Sequence, residues 1–132
     1  MTPDELRART KLFALRVVRL NRSLLRSADA QVMGKQLVWC GTSVAANYRA
    51  SCRAGSRAEF AARIGIVAEE ADESGFWMGM LAEVEIVRMA LLKELLQESQ
   101  ELTVIFTATQ PPVRKHNLGG KITNYKSAIT NS

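Results

Sequence analysis

Apolar residues recur at alternating intervals of four and three along most of this chain, the spacing that places side chains on one face of an α-helix. The longest unbroken run extends from Phe60 to Leu81 and predicts a straight helix with this run as its buried face. A similar stripe extends from Leu6 to Leu24. With two less regular runs, the pattern predicts an all-α protein whose helices span residues 3–26, 29–54, 57–83 and 88–109.

Capping residues mark two of the predicted helix starts. Thr2 is suited to the N-cap position and Pro3 to the first helical position. Ser56 and Glu59 match a capping box, in which each side chain accepts a hydrogen bond from the other residue's backbone N–H. Gly55 is expected to adopt the left-handed conformation that ends many helices. These residues predict a tight connection between helices two and three.

The second predicted helix has a row of polar residues beside its apolar edge. Gln36, Ser43 and Asn47 lie on one face at helical spacing, next to Leu37 and Val44. Such a row could form a polar site, but buried polar side chains more often hydrogen-bond neighbouring helices. We therefore interpret the three residues as a structural polar network.

The fourth predicted helix ends before Pro111, because proline cannot continue a helix. The helices are therefore expected to form one domain over residues 1–110. Residues 111–132 contain lysine and arginine but few apolar residues, so we expect a basic, disordered tail.

Charge is distributed unevenly within a net charge of +5. Residues 1–57 contain eleven Lys or Arg and three acids, a balance of +8. Residues 58–101 contain three Lys or Arg and ten acids, a balance of −7. Two explanations remain open. In the first, helices of opposite charge pair within or between subunits, and in the second, a basic face meets nucleic acid.

The strongest positive charge lies on helix one, which has no acid between Leu6 and Ala28. Like charges three or four residues apart destabilise a helix, so a partner of opposite charge is expected, either the acidic half of the chain or a polyanion. The candidate nucleic-acid-binding residues are cations of this helix, its following turn and the tail, namely Arg7, Lys11, Arg16, Arg19, Arg22, Arg26, Arg114 and Lys115.

No residue pattern indicates catalysis or a metal site. Cys40 and Cys52 are about 18 Å apart on one predicted helix, too far for a disulfide, so both are expected to be reduced packing residues. Glu70 and Glu73 share a helix face and could bind a metal or act as an acid–base pair. Di-iron bundles pair such acids with a nearby histidine, which this helix lacks. We expect a solvated or inter-subunit acidic face directed toward the arginine-rich helix one, and no enzyme, catalytic residue, cofactor or metal.

Two further expectations concern location and assembly. The N-terminal residues have no apolar run, and no window approaches ~18 apolar residues, so a cytoplasmic protein without a membrane span is expected. Phe76, Trp77 and Met80 near the end of helix three are candidate interface residues, because large aromatic side chains often anchor subunit contacts.

Several tracts in order carry a family resemblance. They are Thr-Ser-Val-Ala-Ala-Asn-Tyr-Arg at 42–49, Ser-Arg-Ala-Glu-Phe at 56–60, Glu-Glu-Ala-Asp-Glu-Ser at 69–74, and Phe76-Trp77. The chain resembles the bacterial four-helix-bundle proteins called 23S rRNA-intervening sequence proteins, over about residues 6–109. It departs from them at Ala50, where the family often has an acid, so any contact of that acid is absent here.

The resemblance implies an up-down-up-down four-helix bundle that assembles as a homopentamer without established catalysis. It also implies similarity in fold to the accessory proteins of diversity-generating retroelements, which bind a reverse transcriptase and nucleic acid. The expected function is therefore a non-enzymatic oligomeric scaffold that binds RNA, DNA or an RNA-acting partner such as a reverse transcriptase. The alternative is a structural or protein-interaction oligomer with no nucleic-acid role.

Overall fold

The computed structural model describes residues 1–111 and contains four α-helices and no strand within that range. The all-α fold is confirmed. Compared with the predicted bounds, α3 agrees at both ends, α1 ends four residues early, and α2 ends three residues early. The predicted tail lies outside the described residues except for Pro111. The helices are α1 (Pro3–Arg22), α2 (Ala28–Ser51), α3 (Arg57–Glu83) and α4 (Met89–Thr109).

Side-chain hydroxyls add hydrogen bonds to the last turns of α1 and α2. Ser23 Oγ donates a hydrogen bond to the Leu20 carbonyl at 2.7 Å, and the Ser23 amide also donates to that carbonyl at 3.0 Å. Ser51 Oγ donates to the Tyr48 carbonyl at 2.6 Å, which also accepts from the Cys52 amide at 3.2 Å. Each hydroxyl therefore gives a carbonyl of the last turn a second donor. The apolar pattern continues past α1 to Leu24, which is why the sequence predicted a longer helix.

The predicted caps are largely correct. Thr2 and Glu5 form a reciprocal capping box at the start of α1. Ser56 Oγ accepts a hydrogen bond from the Glu59 amide at 3.0 Å, as predicted for α3. The Glu59 carboxylate, however, accepts from the Gly55 amide at 3.0 Å, one residue before the predicted partner.

The expected left-handed conformation of Gly55 is wrong, because no glycine among the described residues has a positive φ. The chain leaves α2 by tight turns instead, in which the amides of Arg53 and Ala54 donate to the carbonyls of Ala50 and Ser51. Gly55 therefore lies well beyond the end of α2, where no left-handed residue is needed.

The core is built from one face of every helix. α2 packs on α1 and α3, and α4 packs on α3, whereas α1 and α4 approach each other over a short stretch. The predicted seam of α3 from Ile64 to Leu81 is buried, with Phe60 partly buried at its start. The rings of Tyr48 and Phe106 meet with centroids 5.2 Å apart. The apolar stripes recognised in the sequence are therefore the surfaces that meet in the bundle.

α1 and α2 approach each other closely at Gly41. A Cβ atom added there would stand 2.9 Å from both methyl carbons of Val17, which is fully buried. Only glycine leaves enough room for the two helices at this point. The run of small residues around Gly41 thus serves helix packing.

The connection from α3 to α4 is a Schellman turn, although it contains no glycine. Glu85 has a φ of 63°. Its amide donates to the Ala82 carbonyl at 3.0 Å, and the Ile86 amide donates to the Leu81 carbonyl at 2.9 Å. This pair of hydrogen bonds defines the motif, whose left-handed position usually holds glycine.

We expect Glu85→Gly to raise the free energy of unfolding by about 1 kcal/mol, since glycine adopts the left-handed conformation without a Cβ clash. Urea denaturation of both proteins measures the change. Glu83→Gly is the matched control. It lies two residues earlier in the last turn of α3 and is expected to destabilise by about 0.5–1 kcal/mol. A loss of stability in Glu85→Gly would contradict the role assigned to the turn.

The two cysteines occupy different environments. Both thiols are free, Cys40 is buried, and Cys52 is exposed just after α2. The expected packing role therefore fits Cys40 but is wrong for Cys52. The sequence pattern extended α2 past residue 52, where the chain has already left the helix.

Candidate nucleic-acid interface

Burial of the apolar stripe of α1 turns most of its cations toward solvent. Phe13 and Val17 are buried against the other helices, so Lys11, Arg19 and Arg22 lie exposed on the outer side. Arg26 is exposed in the connection that follows. None of these four cations forms an ion pair within residues 1–111. They are available to an anionic partner.

The remaining cations of α1 have acidic partners. Arg7 pairs with Asp4 on the same helix. Arg16 approaches Glu94 of α4 at 3.7 Å, and that carboxylate is 90% exposed. Both predicted candidates are therefore partly neutralised inside the subunit. The candidates Arg114 and Lys115 lie outside the described residues.

Arg9 makes the strongest polar link between α1 and α4. Its guanidinium donates to both carboxylate oxygens of Glu98, each at 2.7 Å, and to Glu101 at 3.1 Å. The side chains of Arg9 and Glu98 are only 22% and 19% exposed. The hydrogen bond that Arg9 donates to Glu98 raises the pKa of Arg9 above its ordinary value despite partial burial. This cation is committed to the fold and is not part of the free basic face.

An open groove of about 670 Å³ lies between the end of α1, the connection after it and the first half of α2. We call it the α1–α2 groove. Trp39 is 70% exposed at this groove. None of the described residues that line it is acidic. The residues that line the groove include Arg22, Leu25, Arg26, Gln31, Lys35 and Trp39.

Sequence reasoning missed Trp39, and a signal for it was present. On a helix with about 100° per residue, Trp39 falls on the side opposite Leu37 and Val44, which are the buried residues of α2. A tryptophan on the outer side of an amphipathic helix is a candidate contact residue. Its proximity to Arg22 and Arg26 could not be inferred without the turn between α1 and α2.

The acidic cluster of α3 does not lie along α1 within one subunit. α1 and α3 are diagonal in the bundle, with no close backbone approach among the described residues. A pairing of these two helices within one subunit is therefore excluded, whereas the expected solvated or inter-subunit acidic face stays a prediction. The acids that reach α1 come from α4 instead, at Glu94, Glu98 and Glu101.

Cys40, Glu70 and Glu73 form a compact polar cluster between α2 and α3. Their ligand-type atoms all lie within 4.8 Å of one another, and Cys40 Sγ donates to Glu73 Oε2 at 3.4 Å. Burial, followed by the charge of Glu73, raises the pKa of Glu70. Burial also raises the pKa of the Cys40 thiol, which disfavours the thiolate that metal binding or nucleophilic attack needs. Cys40 is therefore a hydrogen-bonded thiol that lies beside two carboxylates.

The comparison with known proteins can now be placed beside this geometry. A family model described as 23S rRNA-intervening sequence protein matches residues 5–108, most of the chain. This chain belongs to that family. The resemblance carried by residues 42–77 is confirmed.

The solved structure of a similar protein supports this family membership. It is a protein of unknown function from the S23 ribosomal protein family of Bacteroides thetaiotaomicron. The two structures align with a TM-score of 0.76 at 28% sequence identity, over 83% of this chain and 97% of the relative. No curated protein sequence matches the chain.

Of the polar row on α2, only Ser43 and Asn47 are linked to each other by a hydrogen bond. Asn47 Nδ2 donates to the backbone carbonyl of Ser43 at 3.0 Å, and Asn47 Oδ1 accepts from Arg63 of α3 at 3.0 Å. Gln36 is exposed and forms no hydrogen bond with Ser43 or Asn47. Asn47 thus links α2 to α3, whereas Gln36 faces solvent.

The candidate interface residues Phe76, Trp77 and Met80 lie on the outer side of α3. Phe76 is 58% exposed, and its ring meets Trp77 edge-on with centroids 4.9 Å apart. Trp77 and Met80 are half-buried. Phe76 also lines a shallow groove toward α4 that includes Val104, another exposed apolar residue. This surface lies on helices other than those that form the α1–α2 groove.

Proposed function

We infer that this protein is a non-enzymatic oligomeric scaffold that binds RNA through the outer face of α1. The observation that carries the proposal is the group of exposed, unpaired cations Lys11, Arg19, Arg22 and Arg26. The acids of α4 pair with Arg9 and Arg16 and leave this group without an ion pair among the described residues. A cationic face of this kind is suited to phosphate contacts, which give affinity without reading sequence.

Assembly into a homopentamer is part of the proposal and is supported by exposed apolar side chains. Phe76, Leu91 and Val104 are more than half exposed in one subunit. Several copies would multiply weak phosphate contacts into useful affinity. A reverse transcriptase or another RNA-acting protein is the proposed protein partner, and the bacterial cytoplasm is the proposed location. None of the helices within residues 1–111 has the length and apolar character needed to cross a membrane.

The second candidate is a protein-interaction oligomer with no nucleic-acid role. The exposed Phe76 beside half-buried Trp77 favours it, because large aromatic residues are enriched in the centres of protein interfaces. The two candidates differ in one measurable property. Only the RNA-binding scaffold has an affinity for RNA that falls steeply with salt concentration.

We expect the wild-type protein to bind labelled single-stranded RNA at about 50 mM salt, with an affinity that falls steeply toward about 200 mM. Replacing Arg19, Arg22 and Arg26 together by Ala should weaken binding at least tenfold and reduce the salt slope by about 2, since each lost phosphate contact removes about 0.7. Fluorescence anisotropy across a salt series measures both quantities.

A triple variant of equal charge is the matched control. Arg49, Arg53 and Arg57 are exposed around the connection between α2 and α3, away from the cationic group. Their replacement by Ala lowers the net charge by the same amount and should leave the slope almost unchanged. Equal losses of RNA affinity in the two triple variants would show that net charge alone causes the effect and would refute the proposed face. Absence of RNA binding by wild type at low salt would refute the function itself. Solution mass measured by light scattering tests the oligomer.

A further inference from the structure

We propose that the α1–α2 groove binds single-stranded RNA, with a base stacked on Trp39 and phosphates held by Arg22, Arg26 and Lys35. The inference rests on the proposed function and deepens it, because it names single strands as the preferred ligand. It also adds Lys35 and Trp39, both on α2, to the cations of α1.

Trp39 carries the first part of the argument. It is one of two tryptophans in the chain and is 70% exposed, whereas the other, Trp77, is half-buried. Nearby Leu37 is fully buried, so α2 is anchored and presents the indole at the groove. An exposed indole offers a flat π-surface on which any base can stack.

The surroundings of Trp39 select an anion. Lys35 precedes Trp39 by one helical turn, about 6 Å along the axis. Arg22 and Arg26 line the same groove from α1 and the connection. No acidic residue is among the described residues that line it, so the three cations are not neutralised within the groove. A cationic groove with an exposed aromatic side chain is the combination found in proteins that bind single strands.

The shape of the ligand follows from the stacking requirement. Bases in a duplex are stacked on each other and cannot offer a face to an indole, whereas bases in a single strand can be splayed out. The groove volume of about 670 Å³ lies within the range of about 300–1,000 Å³ typical of sites for organic ligands. A splayed nucleotide therefore fits both the size and the chemistry of the groove.

A second copy of the chain is the competing occupant. Val32 is also exposed on α2, one heptad before Trp39, and the two residues could form an apolar subunit contact. Such a contact would bring the cations Arg22, Arg26 and Lys35 close to another subunit. The absence of lining acids favours RNA, and the solution mass of the variants separates the two occupants.

The test compares Trp39→Ala with wild type on a labelled single strand and on an RNA duplex of the same length. Loss of one stacked base costs about 1–3 kcal/mol, so single-strand affinity should fall about tenfold while duplex affinity changes less than twofold. Trp39→Phe should retain most of the single-strand affinity. Ile66→Ala is the matched control, since it removes an exposed apolar side chain of α3 that lies outside both the groove and the proposed subunit contact. In a Trp77→Phe background, single-stranded RNA should quench the fluorescence of Trp39.

Three results would overturn the inference while leaving the proposed function intact. They are unchanged single-strand affinity in Trp39→Ala, an equal loss on single strand and duplex, and a change in solution mass that makes Trp39 a subunit contact. Failure of wild type to bind either RNA would overturn both proposals. A selective loss in Trp39→Ala, with unchanged solution mass and a normal Ile66→Ala control, is the supporting result.

Discussion

Gly41→Val is expected to lower the free energy of unfolding by about 3 kcal/mol, the upper end of the usual cost of overpacking a core. The added Cβ alone would stand 2.9 Å from both methyl carbons of Val17. Val17 is fully buried and β-branched, so it has little freedom to move away. α1 must therefore shift relative to α2. Urea denaturation measures the loss, and Gly41→Ala should give a smaller one.

Two comparisons isolate the cause of this loss. Gly79 of α3 is also helical, but a Cβ added there meets nothing within 4 Å. Gly79→Ala should therefore stabilise by up to about 1 kcal/mol, because alanine favours the helix more than glycine does. Adding Val17→Ala to Gly41→Val should recover part of the lost stability, since it removes the clashing methyl groups. Additive losses in the double variant would contradict the proposed clash.

Arg9→Ala is the second large effect, with an expected loss of about 2–3 kcal/mol. The substitution leaves the Glu98 carboxylate, only 19% exposed, without its bidentate partner. Removing one partner of a fully buried ion pair costs about 3–5 kcal/mol and an exposed pair contributes about 0–1 kcal/mol, so the loss for this partly buried pair lies between these values. Arg9→Lys should rescue only in part, because an ammonium cannot reproduce the two parallel hydrogen bonds. Chemical denaturation gives the size of each effect.

Arg16→Ala provides the control on the same helix. Arg16 also pairs with an acid of α4, but at 3.7 Å and with a carboxylate that is 90% exposed. Solvent-exposed ion pairs contribute about 0–1 kcal/mol, so little stability should be lost. A double-mutant cycle of Arg9 and Glu98 should give a coupling energy well above that of Arg16 and Glu94. Equal effects in the two pairs would show that burial does not strengthen the link.

Local signals in the sequence were sufficient for the helices and most of their caps. Ser56 caps a helix that begins at the next residue, and the run from Phe60 to Leu81 lies along one helix face. Local sequence patterns were therefore enough to predict both. Glu85 was not predictable in this way. Its left-handed conformation is imposed by the two hydrogen bonds that close the turn, and glutamate gives no hint of it.

The candidate site was only partly accessible from the sequence. Counting charges identified Arg19, Arg22 and Arg26, because the stretch from Leu6 to Ala28 contains no acid. The pairing of Arg9 with Glu98 spans 89 residues, so it required the tertiary structure. The same holds for Cys40 beside Glu73 and for Trp39 beside Arg26. The sequence shows which residue types are present, but it does not show which residues of other helices they contact.

The narrow contact between α1 and α4 has a consequence for the order in which the chain folds. Most packing joins helices that are consecutive in the chain, and such low contact order favours fast folding through successive hairpins. The first and last helices approach over a short stretch, which the ion pairs of Arg9 with Glu98 and of Arg16 with Glu94 bridge. This junction joins the parts of the bundle that are farthest apart in the chain, so it should close last, after the middle of the bundle has formed.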